Sequence, residues 1–257
     1  MSIRKSKEHD APKAGNVFGE NIKCTLVGDE RVGKTSMLLS YQTDTYPSEY
    51  VQTILDTYSK TVTYNGKLIN LQLYDIGGKQ ELKSFGDQGR VGTDVFLLCF
   101  AIDDRESFTR ATGEWLTQVQ NYWMSTISSD YHSKTLSNVR DTKGDLFKPI
   151  TILVGCKSDV NVLCEIWKHR PSKRNDPRMD SESKSVVTSK EAIEQAKRIG
   201  ACLYTECCAR NGTGIKETFK KAIQEVLQRR QYLSSDRYTR YLAFHWHKAL
   251  IYNKSFY

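Results

Sequence analysis

Gly28-Asp29-Glu30-Arg31-Val32-Gly33-Lys34-Thr35 decides how this chain is read. It fits G-x-x-x-x-G-K-[ST] at every fixed position. A strand-like run, Ile22 to Val27, precedes it, and a helix-like run, Thr35 to Tyr41, follows. Strand, glycine loop and helix in that order are the context in which backbone N–H groups converge on phosphate oxygens. Lys34 can then reach the terminal phosphates, and the Thr35 hydroxyl can ligate Mg²⁺. A plain glycine turn capping a helix is the simpler alternative, so the remaining sequence has to supply the nucleotide.

Outward from this loop the chain alternates strand and helix signals. Asn65-Gly66 joins two alternating runs, Tyr58 to Tyr64 and Lys67 to Tyr74, which is a two-residue hairpin signal. Ile69, Leu71 and Leu73 place one face of the second arm inward, and Asp75 comes at its end. Val95 to Ile102 and Ile150 to Gly155 are continuous apolar runs, as in parallel strands buried on both faces. Ser107 to about Met124 carries Phe108, Trp115, Val119 and Tyr122 on one helical face. Thr188-Ser189-Lys190-Glu191 reads as a capping box opening a helix that stops at Gly200. Ala201 to Thr205 is the last strand, and Gly214 to Arg230 the last helix.

The expected fold is an open α/β sheet, mostly parallel with one antiparallel edge hairpin and helices on both faces. Ligands bind such sheets beyond the carboxyl ends of the strands. The phosphate loop, Asp75, Asp159 and Cys208-Ala209 all fall there. Residues 1–20 are polar and read as a disordered extension, residues 21–230 as the domain, and 231–257 as a basic aromatic tail. Polar insertions are expected near 125–148 and 161–187.

Composition narrows the classes. No run approaches 18 apolar residues, so no membrane-spanning helix is expected. The N-terminus lacks an apolar signal core, and Ser2 excludes N-myristoylation. The seven cysteines are odd in number and scattered, apart from Cys207-Cys208, and read as reduced core thiols rather than disulfides or a zinc site. The formal charge of +8 raises nucleic acid or an anionic membrane as partners. No RNA-binding or zinc-finger pattern supports the first.

With these residues in place the chain resembles the Ras superfamily of small GTPases, and within it the Rho/Rac branch, over roughly residues 20–230. The residues that carry the resemblance are the phosphate loop, Tyr46-Pro47-Ser48-Glu49-Tyr50-Val51 with Thr53, Asp75 with Gly78, Thr93-Asp94-Val95-Phe96, and Glu206-Cys207. The resemblance implies GTP/GDP and Mg²⁺ as cofactors. It implies that Gly28, Glu30, Arg31, Val32, Gly33, Lys34, Thr35 and Ser36 surround the phosphates. Thr35 and Thr53 would ligate Mg²⁺, with Asp75 holding it through water, and Gly78 would be among the nucleotide-binding residues. Tyr46, Lys157, Asp159, Cys208 and Ala209 would surround the guanine. Among the common purines only the guanine edge offers one carboxylate two adjacent donors, which suits Asp159.

Four departures from the family pattern matter. Glu30 stands where glycine is usual and crowds the γ-phosphate. Lys79 stands where glutamine orients the attacking water, and lysine has no acceptor; Gln80 follows one place too late. Glu30 and Lys79 can also pair across the site. Cys156 and Cys208 replace better hydrogen-bonding residues around the base. The last cysteine in the chain is Cys208, so no prenylation box is present. Instead, residues 229–257 interleave Arg229, Arg230, Arg237, Arg240, Lys248 and Lys254 with aromatic residues. This stretch reads as a membrane-surface helix, a packing or partner helix, or a disordered tail.

Three functions follow. The first is a GTP-bound adaptor with slow or absent hydrolysis, and the second a normally cycling switch acting on the actin cytoskeleton. The third, a P-loop nucleoside kinase, fits Asp159, Tyr46 and the hairpin poorly. Expected partners are Rho-type effectors and exchange factors at Tyr50–Thr53 and residues 75–90, with no nucleic acid. The protein is expected to be a cytoplasmic monomer, peripheral to a membrane if the tail binds one.

Overall fold

The computed structural model describes residues 19–47, 53, 55–77, 92–130, 148–160 and 186–235. Six strands form one sheet: β1 (Glu20–Val27), β2 (Leu55–Tyr64), β3 (Lys67–Ile76), β4 (Val95–Ala101), β5 (Ile150–Cys156) and β6 (Leu203–Glu206). Their spatial order is β2-β3-β1-β4-β5-β6. Only β2 and β3 run antiparallel; the other neighbours are parallel. The expected open α/β sheet with one edge hairpin is therefore present. Asn65 and Gly66 both have positive φ, 49° and 76°, as a type I′ hairpin turn requires.

Helices cover both faces. On one side lie α1 (Lys34–Thr43) and, further along the chain, the long C-terminal helix. On the other side α2 (Arg105–Arg110) passes through a π-helical turn (Ala111–Trp115) into α3 (Leu116–Asp130), and α4 (Ser189–Ile199) follows. The C-terminal helix, α5, spans Ile215–Leu233. Every residue of β4 and of β5 is buried, as their unbroken apolar sequence predicts. Ile69, Leu71 and Leu73 are fully buried while their β3 neighbours are not, so the alternation gives the inward face correctly.

Several boundaries differ from the sequence reading. β1 begins at Glu20 because that residue pairs with Ile69, so the N-terminal extension ends earlier than residue 20. The helix expected from Ser107 starts at Arg105, because Asp104 caps it by accepting from the Glu106 and Ser107 N–H groups. It continues to Asp130, so the expected insertion at 125 starts six residues late. The capping box at 188–191 forms only in half. Thr188 accepts from the Glu191 N–H at 3.2 Å, but the Glu191 carboxylate is taken by Arg105, 2.5 Å away. The last strand begins at Leu203 rather than Ala201, since its pairing with β5 starts at Ile152. Gly200 ends α4 with φ 73°, as expected. The last helix runs to Leu233, past the expected Arg230, and Arg230 ties it to the sheet through Asp94 at 2.7 Å. Residues 1–18, the greater part of the two insertions (131–147 and 161–185) and the tail from 236 lie outside the described residues.

Two positions test the packing. Gly214 starts α5 with φ 73°, and a Cβ there would lie 2.0 Å from the Glu206 carbonyl oxygen. Gly214→Ala is expected to cost about 1–3 kcal/mol or more, read as a lower urea midpoint with unchanged slope. Tyr41 stacks against Phe219 with ring centroids 4.1 Å apart, and burial, then the nearby Cys24 and Asp44, push its phenol up to about 12. Its raised folded value means that the stabilisation present below pH 10 is lost as pH rises from about 10 to about 12. Tyr41→Phe is expected to flatten the fall in stability in that window, measured by denaturant unfolding across pH.

Candidate functional site

The site lies where the carboxyl ends of β1, β3, β4, β5 and β6 meet the start of α1. Gly28 leaves β1 with φ 145°, and a Cβ on it would sit 2.1 Å from the Cys99 carbonyl oxygen of β4. Gly33 precedes α1 with φ 112°, and its Cβ position lies 3.3 Å from Cys156 Cβ. Both glycines are thus required by backbone conformation, and Gly28 also by lack of space. Between them Arg31 takes a left-handed φ of 61°, and Val32 is buried beneath the loop.

Lys34 is buried under this loop and donates to the Gly28 and Asp29 carbonyl oxygens at 2.8 and 2.7 Å. Burial lowers its ammonium below lysine's ordinary range, and Asp75 opposes that shift. Asp29 faces away from the phosphate side. Its carboxylate accepts from Arg110 Nε at 2.5 Å and from Trp115 Nε1 at 2.8 Å. Arg110 precedes the π-helical turn and Trp115 is its last residue, and both reach the same carboxylate. Nothing in the sequence marks this clamp. Trp115 showed only as a core position at helical spacing, and its indole N–H gave no sign of its acceptor.

At the other end of the loop three oxygens converge. Thr35 Oγ1 shares a 2.7 Å hydrogen bond with Thr53 Oγ1 and donates to Asp75 Oδ2. Asp75 is fully buried, and burial pushes its carboxyl above the usual carboxylate range, against the pull of the Thr35 hydrogen bond and Lys34. Its second oxygen, Oδ1, is buried with no hydrogen-bond partner among the described residues. A hard divalent cation would satisfy that oxygen and favour the ionised carboxylate. One carboxylate and two hydroxyls form an oxygen set that leaves positions for water and phosphate, as Mg²⁺ prefers. The residues fit the ion. Among the described residues no group of three His, Cys, Asp or Glu side chains forms a denser metal site.

One cavity of about 690 Å³ joins these parts. Its walls include Glu30, Arg31, Gly33, Lys34, Thr35, Ser36 and Thr53 at one end and Tyr46, Lys157, Asp159, Cys208, Ala209 and Arg210 at the other. The volume suits a nucleotide-sized ligand. Tyr46 stands half exposed at the rim. Lys157 holds a left-handed φ of 61° and reaches Asp103 at 3.4 Å. Ser40 of α1 donates to the Ala209 carbonyl at 3.2 Å, which fixes that segment over the helix. Cys156 and Cys208 both line the cavity while being almost wholly buried. Asp75 lies within β3 as its penultimate residue, not beyond its end. Gly78, Lys79, Tyr50 and residues 78–91 of the expected partner surface lie outside the described residues.

A family model decides what this arrangement is. The Ras family model matches residues 23–228. The chain belongs to the Ras family. It is therefore a small GTP-binding protein, and proteins of this family bind GTP and GDP, typically with Mg²⁺. The matched span runs from Lys23, within β1, to Gln228, within α5, so it takes in the phosphate loop and every strand and helix that lines the cavity.

The Thr35–Asp75–Thr53 cluster gives a direct test. Thr35→Ala is expected to weaken Mg²⁺-dependent nucleotide retention by at least about tenfold. GDP release from the variant should change little when EDTA is added, whereas the parent protein should release GDP much faster.

Proposed function

We propose that this Ras-family protein is Rho-like and acts as a GTP-bound adaptor whose hydrolysis is slow or absent. The observation that carries this is Glu30. It lines the same cavity as Lys34 and Thr35, at the loop position where the family usually has glycine. A carboxylate there crowds the γ-phosphate's transition-state geometry and the space an activating protein's arginine would enter. That arginine contributes orders of magnitude in rate in the Ras template. Lys79, at the usual glutamine position, offers donors but no acceptor for the attacking water. Support for the Rho branch comes from the spacing between β1 and Asp94 and from the Tyr46–Thr53 segment.

On this reading the phosphates lie over Gly33, Lys34, Thr35 and Ser36, Mg²⁺ at Thr35, Thr53 and Asp75, and guanine between Tyr46, Lys157, Asp159 and Ala209. Effectors dock at Tyr50–Thr53 and residues 75–90, which the γ-phosphate orders. The protein works as a cytoplasmic monomer, and its basic stretch, residues 229–257, brings it to an anionic membrane surface.

Single-turnover GTP hydrolysis by the purified protein tests the central claim. Turnover should fall below the roughly 3–5 × 10⁻⁴ s⁻¹ of the Ras template and should not respond to a Rho-type activating protein. Glu30→Gly with Lys79→Gln should raise it to at least that rate. Turnover at that rate in the parent protein, or strong acceleration by the activator, would instead establish a cycling switch.

A further inference from the structure

Beneath the cavity lies a group of sulfur atoms that neither phosphate nor Mg²⁺ binding uses. Cys99 of β4, Cys156 at the end of β5 and Cys207 just after β6 are each buried on the α1 face of the sheet. Met37 of α1 covers them, with its Sδ 3.2 Å from Cys207 Sγ. The ladder between β5 and β6 runs one residue past Glu206. Cys207 N–H donates to the Gly155 carbonyl at 2.9 Å, and Ser158 N–H donates to the Cys207 carbonyl at 3.1 Å. This sets Cys207 directly opposite Cys156.

Neighbouring strands lie about 4.7–4.9 Å apart, inside the Cα range of about 4.4–6.8 Å that a disulfide spans. Cys99 stands differently. Ala101 is the residue paired with Cys156, so Cys99 is a diagonal neighbour two positions back. Cys99 is therefore offset along its strand from Cys156, whereas Cys207 faces Cys156 across one residue pair. Cys156 and Cys207 both contribute to the wall of the cavity. They precede the two segments, Lys157–Asp159 and Cys208–Ala209, that the proposed function assigns to guanine.

We propose that Cys156 and Cys207 form an oxidation site of this protein, closed to a disulfide by small hydroperoxides and covered by the base when nucleotide is bound. The second half rests on the placement of guanine proposed above. Hydrogen bonding from Cys207, then Cys99, holds the Cys156 thiol well below its usual range, and the charges of Lys34 and Lys157 add to this. Cys99 and Cys207 are pushed up by hydrogen bonding to Cys156 and by burial. Cys156, in the cavity wall against Gly33 with Cys207 opposite it, is placed as the attacking sulfur once its proton is lost. Its sulfur attacks the peroxide oxygen, the O–O bond breaks, and water leaves once the released hydroxide takes a proton. Cys207 sulfur then attacks the sulfenic acid, its thiol proton leaves with the hydroxyl, and a second water is released. In all, two thiols and one peroxide give one disulfide and two waters. The sulfurs must close to about 2.05 Å, which drags the adjoining base segments together and speeds nucleotide release.

The full chain is treated with hydrogen peroxide, either loaded with GDP and Mg²⁺ or stripped of both with EDTA. Free thiols are then blocked, and crosslinked peptides are mapped by mass spectrometry. A 156–207 crosslink is expected in the stripped protein and is expected to fall sharply in the loaded one. Dithiothreitol should remove it and restore retention of fluorescent GDP. The oxidant's effect on GDP release should be lost in Cys156→Ser and in Cys207→Ser and kept in Cys202→Ser, whose cysteine is exposed. A stripped protein without the 156–207 crosslink, or with crosslinks from Cys99 or Cys208 instead, overturns the oxidation site. A crosslink that forms equally in both states overturns the covering base and the guanine placement, while the cysteine pairing stands.

Discussion

The contact between Gly28 and the Cys99 carbonyl is the constraint on which the rest of the site depends. With a Cβ position 2.1 Å from that oxygen, the chain leaving β1 passes directly over the end of β4. That close approach lets the phosphate loop lie across the carboxyl end of the sheet instead of rising above it. The loop then returns at Gly33 against Cys156 of β5, so three adjacent strands support one turn of backbone. The path of the loop into the start of α1 is thus set by contacts within the sheet, which is the preorganisation an anion site needs.

Such a site has a cost in stability. Lys34 and Asp75 are charged groups in a buried setting, and burial shifts each toward its neutral form. Lys34 is compensated by two carbonyl oxygens, whereas Asp75 leaves one oxygen without a partner among the described residues. On our reading, that imbalance is what a divalent cation and anionic phosphates together would relieve. Asp29 is managed differently. It is turned away to Arg110 and Trp115, so its charge does not oppose a phosphate and instead anchors the loop to the helix packed on the other face.

The end of the cavity that we assign to guanine has cysteines in its wall where hydrogen-bonding side chains would be expected. Cys156 packs against Gly33, and Cys207 packs against Met37 of α1. The phosphate loop, the first helix and the base segments therefore meet through polarizable, non-directional contacts. Guanine selectivity on our reading then rests on Asp159 and on backbone groups near Ala209, and the thiols contribute packing.

The local signals were sufficient for the sheet. The glycine loop, the Asn65-Gly66 turn, the alternation through Ile69, Leu71 and Leu73, and the unbroken apolar runs of β4 and β5 each depend on neighbours in sequence. Each was therefore legible, and so were the fold and the residues collected around the cavity. Boundaries were less so, because Glu20 and Leu203 are placed by partners in other strands. What only the tertiary structure decided are contacts between residues far apart in the chain. Asp29 found Arg110 and Trp115, Glu191 left its own cap for Arg105, and Cys207 came to stand opposite Cys156. Sequence records the periodicity of each segment, but a side chain's partner across the sheet depends on strand order and register. Those are fixed only when the whole sheet assembles.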